Sequence, residues 1–269
     1  MTGSIPKPAA TVMLLRDGRQ GLEVFMVLRH HQIDFAGGAL VFPGGKVQGA
    51  DHDPALHAHC RGLEGLSAEQ AALRVAAVRE TFEECGLLLA YTTDETALVA
   101  ARGDRFHSYR QALRQERPAL LELVRNEGLE LACDQLVPFA HWITPEPVPK
   151  RFDTHFFLAT APTGQHALHD GEEAVDGVWL RPVQALAEAA SGQRTIIWPT
   201  RMNLSKLARS QQVSQALDAA RKSSIVTVLP QLVDGVQGKV MRIPVEADYD
   251  SYEADMTEVM GNPAVRPSP

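Results

Sequence analysis

The sequence predicts an α+β fold in one domain, because two kinds of apolar pattern follow each other along the chain. Ala9–Leu15 and Leu22–Leu28 are apolar runs of strand length, and the turn-forming cluster Asp17–Gly21 between them is typical of a β-hairpin. Ser67–Gly86 instead spaces its apolar side chains as a helix does. Since no internal repeat or clear linker divides the chain, we interpret residues 1–269 as a single domain.

The predicted helix has recognisable start and stop signals. Ser67-Ala68-Glu69-Gln70 is a capping-box pattern, in which the Ser hydroxyl and the Gln amide satisfy free backbone N–H groups. Gly86 is the residue type that most often ends a helix in the left-handed conformation. The apolar residues that share one face of this helix are Ala71, Val75, Val78 and Phe82.

The remaining elements are predicted from shorter patterns. Strands are predicted at Gly37–Phe42, Val137–Ile143, Phe152–Ala159 and Gly177–Leu180. Helices are predicted at His107–Glu127, with an interruption near Pro118, and at Pro182–Ala190 and Met202–Arg221. A second hairpin is predicted between Ile225–Leu232 and Lys239–Val245. Gly49–Leu66 is interpreted as a loop, and the acidic, then Pro-rich residues 246–269 as a flexible tail.

Composition narrows the class of protein. The net charge of -7 disfavours broad nucleic-acid binding, which needs a basic face. The three cysteines are widely and irregularly spaced, which suits a reducing cytoplasm better than a disulfide framework. The sequence has no signal-peptide pattern and no apolar run long enough for a bilayer, so we expect no membrane partner. A homodimer is one alternative for the oligomeric state, which the sequence leaves open.

Three glutamates on the predicted helix carry the strongest chemical signal. Glu80, Glu83 and Glu84 are spaced i, i+3 and i+4, so their side chains share one helical face. Like charges this close are unfavourable unless a cation joins them, and divalent cations with oxygen ligands are a natural solution. The alternative is a solvated acidic face with salt bridges to Arg79. The turn Phe42–Gly45 at a predicted strand end, together with the helix-ending Gly, favours the metal-binding interpretation.

These segments resemble the signature of the Nudix family, G-x5-E-x7-R-E-U-x-E-E-x-G-U, where U is a bulky aliphatic residue. Gly45 supplies the first Gly, and Arg79–Leu87 supplies the second half. Asp51 stands where the first Glu belongs, and Thr81 occupies a usually aliphatic position. Asp51 and Arg79 are 28 residues apart where the signature has 8, so an insertion, placed at about residues 50–66, interrupts the motif.

The interrupted motif is similar to the Nudix subgroup that includes the peroxisomal coenzyme A diphosphatase. Phe35–Gly45, Trp142–Pro145 and Arg151–Ala159 are also similar to that subgroup, and the resemblance covers roughly residues 8–207. It implies an α/β/α sandwich with a mixed β-sheet and the motif helix on one side. The insertion lies in the motif loop, and a helical extension at about residues 186–245 follows the core.

The resemblance also implies roles for individual residues in a metal-dependent pyrophosphohydrolase. Mg²⁺ or Mn²⁺ is the expected cofactor, and Glu80 and Arg79 are the expected catalytic residues. The expected metal ligands are Glu80, Glu83, Glu84 and the carbonyl of Gly44. The expected substrate-binding residues are Arg29, Gly45 and Arg151. The general base is left open between Glu80 and a carboxylate of a distal loop, Glu172 or Glu173.

Three functions are weighed for such a chain. The first is cleavage of coenzyme A or acyl-coenzyme A, whose enzymes share a signature that Arg29, Gly38 and Phe42–Gly45 match. In that signature an Arg stands where this chain has Asp34, which favours the second function, cleavage of another nucleoside diphosphate derivative such as NADH or ADP-ribose. The third is a non-catalytic binding module, which the intact glutamates disfavour.

The insertion offers one competing metal site. A zinc site is the alternative to a plain loop, although the spacing fits no strong zinc pattern. Its candidate ligands are His52, Asp53, His57, His59 and Cys60.

Overall fold

The computed structural model describes most of the chain. The described residues are 4–29, 38–92, 98–99, 104–115, 117, 119–146, 148, 150–163, 174–235, 238–255 and 259. None of the helices in these segments combines the length and the apolar character that a membrane span requires.

The chain forms fourteen strands and seven α-helices in its described segments, mostly in runs of one kind. The strands are β1 (Lys7–Gly18), β2 (Gly21–Arg29), β3 (Leu40–Val41), β4 (Gly44–Lys46), β5 (Cys60–Arg61), β6 (Ala90–Thr92), β7 (Leu129–Ala132), β8 (Val137–Ile143), β9 (Phe152–Thr160), β10 (Ala174–Leu180), β11 (Thr227–Val228), β12 (Gln231–Gly235), β13 (Gly238–Arg242) and β14 (Glu253–Asp255). The helices are α1 (Pro54–His57), α2 (Ala68–Cys85), α3 (Asp104–Arg114), α4 (Ala119–Glu127), α5 (Pro182–Ala190), α6 (Trp198–Leu207) and α7 (Val213–Lys222).

The main sheet has eight strands and is mixed. Its order is β10-β2-β1-β9-β8-β11, with β3 paired to β2 and β4 paired to β1. β1 and β9 are parallel, as are β8 and β11, and the other pairs are antiparallel. The predicted hairpin of β1 and β2 is confirmed, and so is the mixed sheet.

Two apolar layers cover the sheet, one on each face. Along β1, Ala10, Val12 and Leu14 join a core with the apolar face of α2, as the alternation of a half-buried strand requires. Met13 and Leu15 point the other way, into a second core that buries side chains of α5, α6 and α7. The predicted α/β/α arrangement, with the glutamate-bearing helix on one side, is therefore confirmed.

The insertion is not the plain loop that the sequence predicts. Gly49–His52 forms a 3₁₀ turn, α1 follows it, and β5 pairs in parallel with β7 in a small sheet of order β5-β7-β6. Asp53 caps α1 by accepting from the Ala55 N–H, and Leu56 of α1 is buried in the core. Partners from distant strands therefore order a segment whose own composition is typical of a loop.

Two predicted helices are each divided in the structure. His107–Glu127 becomes α3 and α4, close to the predicted interruption. Met202–Arg221 was predicted as one helix, which is wrong, because α6 ends at Leu207 and α7 begins at Val213. Two hydrogen bonds join the β1–β2 hairpin to the segment between these helices: the Leu22 N–H donates to the Gln211 carbonyl and the Val213 N–H donates to Asp17.

The C-terminal part contains strands as well as the predicted helices. The predicted strand Ile225–Leu232 is divided, since β11 joins the main sheet beside β8 while β12 pairs with β13. β14, inside the segment predicted as a flexible tail, adds a third strand to that hairpin. Residues 256–258 and 260–269 lie outside the described part of the chain.

Candidate active site

Helix α2 presents the candidate catalytic residues from a well-capped backbone. Ser67 forms the predicted capping box with Gln70, and Gly86 ends the helix with φ of 69°, where its N–H donates to the Phe82 carbonyl. Phe82 lies in the core under the sheet. The opposite face of the same turns therefore directs the glutamates towards β4.

Arg79 is the centre of a buried polar network. Its Nη1 donates to Glu80 Oε1 at 2.8 Å and to Glu83 Oε2 at 3.0 Å. Its Nη2 donates to the Lys46 carbonyl at 2.8 Å, and the side chain is only 3% exposed. Because a guanidinium holds its donors in a rigid planar fork, this network fixes two glutamates relative to the end of β4.

Asp51, at the start of the insertion, completes the network around Arg79. Its carboxylate accepts from Arg79 Nε at 2.9 Å and from Arg79 Nη2 at 3.0 Å, which is the bidentate geometry of a strong ion pair. The Gln48 N–H donates to the same carboxylate at 2.8 Å, and Asp51 is fully buried. The structure thus joins two residues that the insertion separates by 28 positions.

The two glycines of the Phe42–Gly45 turn let β4 approach the helix. A Cβ on Gly45 would lie 2.4 Å from Glu80 Oε1, so a side chain at this position would displace that carboxylate. A Cβ on Gly44 would lie 2.4 Å from the Ala10 carbonyl. The backbone N–H of Gly44 donates to Glu84 Oε2 at 2.9 Å. Gly45 therefore lies against the carboxylate of Glu80, and Gly44 binds the carboxylate of Glu84.

The described part of this cluster is rich in carboxylates. Asp51, Glu80 and Glu83 surround the guanidinium of Arg79, and the carboxylate of Glu84 accepts from the Gly44 N–H nearby. Burial raises the pKa of Glu80 to about 7, against the opposing effect of Arg79. Burial alone would lower the pKa of Arg79, but its hydrogen bonds and the surrounding carboxylates raise it above its ordinary value. A set of oxygen donors so rich in carboxylates fits a divalent cation.

A family comparison agrees with this geometry. A family model described as the NUDT19 Nudix domain matches residues 54–207, more than half of the chain. The chain belongs to the Nudix family. Helix α2 is accordingly its Nudix helix.

Curated relatives lie in the same part of the family. The chain is 22% identical over 233 residues to an acyl-coenzyme A diphosphatase NUDT19 of Xenopus laevis, covering 72% of this chain and 61% of that protein. It is 26% identical over 217 residues to a putative nudix hydrolase 7 of Caenorhabditis elegans, covering 78% and 62%. The chain therefore spans less than two thirds of the length of these relatives.

A solved Nudix structure has the same fold. The NUDIX hydrolase from Alicyclobacillus acidocaldarius aligns with a TM-score of 0.69 and 27% identity, covering 80% of this chain and 96% of that one. The likeness extends beyond the residues matched by the family model, and it confirms the predicted Nudix sandwich.

One departure from the Nudix motif has a simple structural account. Thr81 stands at a position that is usually aliphatic, and its side chain is fully buried. Its hydroxyl donates to the Ala77 carbonyl one turn earlier, at 2.8 Å. The buried polar atom is therefore satisfied within the helix, and Thr81 fits where an aliphatic side chain would.

Arg110 of α3 supports the Nudix helix, and no local sequence signal identifies it. Its Nε donates to the Glu83 carbonyl and its Nη2 to the Glu84 carbonyl, both at 2.9 Å. A cation there satisfies terminal carbonyls and interacts favourably with the helix dipole. Arg110 thereby holds the turn that carries two of the glutamates.

We expect Arg110→Ala to lower the free energy of unfolding by roughly 2 kcal/mol, because two carbonyls at the end of the helix lose a charged donor. The Nudix helix should also fray at its end, so the affinity for Mg²⁺ should fall. Thermal unfolding and calorimetric Mg²⁺ titration would measure the two effects. The matched control is Arg125→Ala, which removes an exposed Arg from α4. Equal stability of both variants would contradict the role of Arg110.

The predicted substrate-binding arginines differ in their surroundings. Arg29 ends β2 on the same face as Phe25 and Val27, which pack on the α2 side of the sheet. Its buried Nε has no hydrogen-bond partner among the described residues. Arg151 instead donates to the carbonyls of Thr144 and Ser4, both at 2.9 Å, which ties the start of β9 to the N-terminal segment. The substrate contacts of both residues stay predictions.

Other predicted residues have local roles or are outside the described segments. In the insertion, His57 bonds to the Asp51 carbonyl and the Cys60 thiol donates to the Leu56 carbonyl, while Asp53 caps α1. Each of these three side chains bonds to a backbone group of the insertion itself. The residues outside the described part are Asp34, Glu172 and Glu173.

The sequence did not single out a second polar cluster on the sheet. The ligand atoms of His141, Asp153 and His155 lie within 4.8 Å of one another. These residues come from β8 and β9, and their spacing in the sequence has no motif that brings them together.

Proposed function

We propose that this chain is a metal-dependent pyrophosphohydrolase that cleaves the diphosphate linkage of coenzyme A or acyl-coenzyme A. The observation that carries the proposal is the buried cluster of carboxylates around Arg79, with Gly44 and Gly45 against Glu84 and Glu80. This excess of oxygen donors suits an ion that also binds phosphate oxygens.

Glu80, Glu83 and Glu84, with the carbonyl of Gly44, would hold Mg²⁺ or Mn²⁺. The bound ion would neutralise charge on the diphosphate and favour attack by water on phosphorus. Arg79 keeps Glu80 and Glu83 apart and oriented, and a phosphomonoester leaves when the linkage breaks. Glu80 is our candidate for the general base, since it is buried beside the Gly45 backbone.

Arg29 would bind the diphosphate. Its place on the catalytic face of the sheet and its buried Nε, which lacks a partner among the described residues, both support this role. An Arg binds phosphate oxygens through two parallel N–H donors. Gly45 would bring backbone close to the same substrate, and we retain Arg151 as a contact for a further phosphate.

The coenzyme A assignment is supported by the NUDT19 relatives, which are described as acyl-coenzyme A diphosphatases. Asp34 is the observation that favours the second candidate, another nucleoside diphosphate derivative such as NADH or ADP-ribose, because an acidic residue suits the 3′-phosphate of coenzyme A poorly. A purely binding role is disfavoured by the presence of Glu80, Glu83 and Glu84.

We also infer a cytoplasmic location and a small-molecule partner. Cys60, Cys85 and Cys133 form no disulfide, which suits a reducing compartment. The net charge of -7 gives no support to nucleic-acid binding. A homodimer stays a prediction.

A comparison of three substrates would test the proposal. We expect kcat/KM for coenzyme A to exceed that for dephospho-coenzyme A by about fivefold, a coupling of about 1 kcal/mol through the 3′-phosphate. Arg151→Ala should reduce this ratio without changing the value for dephospho-coenzyme A. Product analysis with Mg²⁺ and with Mn²⁺ should give adenosine 3′,5′-bisphosphate and phosphopantetheine. A far higher value for NADH would replace the coenzyme A assignment with the second candidate.

A further inference from the structure

His155 lies in one row of residues that crosses the sheet from the Nudix turn. In the paired strands, Gly45 faces Ala10, Ala10 faces His155, and His155 faces His141. Residues that face each other in neighbouring strands project from the same side of a sheet. Because a Cβ on Gly45 would point at the Glu80 carboxylate, the imidazole of His155 projects from the catalytic side.

The next residue on the same side of β9 confirms this direction. Phe157 follows His155 by two positions, and its ring packs in the core that contains the apolar face of the Nudix helix. The guanidinium of Arg74, from that helix, lies 5.5 Å from the Phe157 ring centre. His155 therefore lies on the face of the sheet against which the Nudix helix packs further along β9.

His155 is close enough to the candidate metal site for one substrate molecule to contact both. Neighbouring strands are about 4.8 Å apart, so two strand spacings put the His155 backbone roughly 10 Å from that of Gly45. The strand between them contributes only the methyl group of Ala10 at this level. A diphosphate bound at Glu80 and Glu84 would therefore lie close to the His155 side chain.

His141 and Asp153 hold the imidazole of His155 in place. The His141 ring bonds to Asp153 through Nε2 and to the Thr227 hydroxyl through Nδ1, so both of its nitrogens are used. The His155 ring stacks on it, with 4.0 Å between the ring centres and 18° between the planes. Its Nε2 is 3.9 Å from Asp153, too far for a hydrogen bond.

His155 has the exposure and charge state of a group that meets a ligand. Its side chain is 35% exposed, and its ring has no hydrogen bond to the described residues. Burial and the neighbouring His141 lower the pKa of His155 to about 4, although Asp153 opposes them. The ring is therefore neutral near pH 7, with one N–H donor and one acceptor nitrogen.

The stacked rings fit a shared metal ion poorly. An imidazole binds a metal with a lone pair that lies in the plane of the ring. In two nearly parallel rings, one above the other, these lone pairs run side by side and cannot converge on one ion. The stacking therefore favours an organic or phosphate ligand at His155 over a metal centre.

We propose that His155 is a substrate-contacting residue, which donates a hydrogen bond to a phosphate oxygen of the diphosphate substrate beside the Nudix metal site. His141 and Asp153 are positioning residues that hold the His155 ring. This inference rests on the proposed function, since it names a contact within the same site.

Two substitutions separate the hydrogen bond from the stacking. His155→Phe keeps a ring against His141 but removes the donor, and it should lower kcat/KM for coenzyme A about tenfold, as for other hydrogen bonds to charged groups. His155→Gln restores an N–H donor and should recover part of this loss. Both variants should keep the wild-type melting temperature and Mg²⁺ affinity. A value for His155→Phe within about twofold of wild type would overturn the proposal.

A binding experiment distinguishes failure of this contact from failure of the proposed function. In ¹⁵N-labelled protein with Mg²⁺, inorganic pyrophosphate should shift the ring nitrogen signals of His155. If the wild-type protein cleaves no diphosphate, the proposed function fails, but the titration still tests whether His155 contacts a phosphate oxygen. His155 signals that do not move at saturating pyrophosphate would exclude this contact. If Zn²⁺ instead shifts His141 and His155 together at stoichiometric amounts, the cluster is a metal site and the proposal is wrong.

Discussion

Replacing Glu84 with Gln should abolish turnover and leave the fold intact. The amide keeps the shape of the side chain and one oxygen that can accept the Gly44 N–H, but it removes a full negative charge from the cluster. An ion at such a site is worth several kcal/mol in the transition state, so kcat should fall by roughly a thousandfold. Product formation with Mg²⁺ measures the loss, and circular dichroism checks the fold.

Glu69→Gln is the matched control for this substitution. It removes the same charge from the exposed first turn of the same helix, where the side chain accepts from the Ser67 hydroxyl. We expect its kcat to stay within about twofold of wild type, since an exposed charge this far from the cluster is screened by solvent. Full activity of Glu84→Gln, with unchanged Mg²⁺ affinity, would show that Glu84 holds no metal.

Arg79→Met should destabilise the protein by roughly 3–5 kcal/mol, the usual loss when one partner of a buried ion pair is removed. The guanidinium makes five hydrogen bonds, to Asp51, Glu80, Glu83 and the Lys46 carbonyl. Without it, the carboxylates of Asp51, Glu80 and Glu83 lose the cation that they share. Urea unfolding in the absence of metal would measure the change.

Two further measurements identify the cause of that instability. Arg79→Lys keeps the charge but loses the planar fork, so its stability should lie between those of wild type and Arg79→Met. Saturating Mg²⁺ should restore part of the stability of Arg79→Met, since a cation offsets the unpaired carboxylates. If Arg79→Met unfolds at the wild-type urea concentration, the network around Arg79 does not stabilise the fold.

The Nudix helix and the grouping of its glutamates could be predicted from local patterns. The capping box at Ser67 and the left-handed position at Gly86 are local features, and both ends of the predicted helix agree with the structure. The i, i+3 and i+4 spacing placed the glutamates on one face for the same reason, because helical geometry depends only on neighbours in the chain. Comparison with known proteins then confirmed the family and the fold.

The insertion shows where local patterns stop being sufficient. Its Asp, His, Pro and Gly residues are typical of a loop, yet β5 gains order from β7, some seventy positions later. The break between α6 and α7 has the same origin, since Asp17 and Leu22 of the first hairpin bond to its backbone. Hydrogen-bond partners from distant segments leave no periodic signal in the sequence.

The sequence by itself determined the Nudix helix, the first hairpin and the grouping of the three glutamates, all of which depend on short-range geometry. Only the tertiary structure decided that Asp51 reaches Arg79 and that Arg110 closes the end of the helix. It also decided that His155 shares a row of the sheet with Gly45, because strand order and register place them there. These contacts join residues far apart in the chain, and they form only when the strands pair and the helices pack.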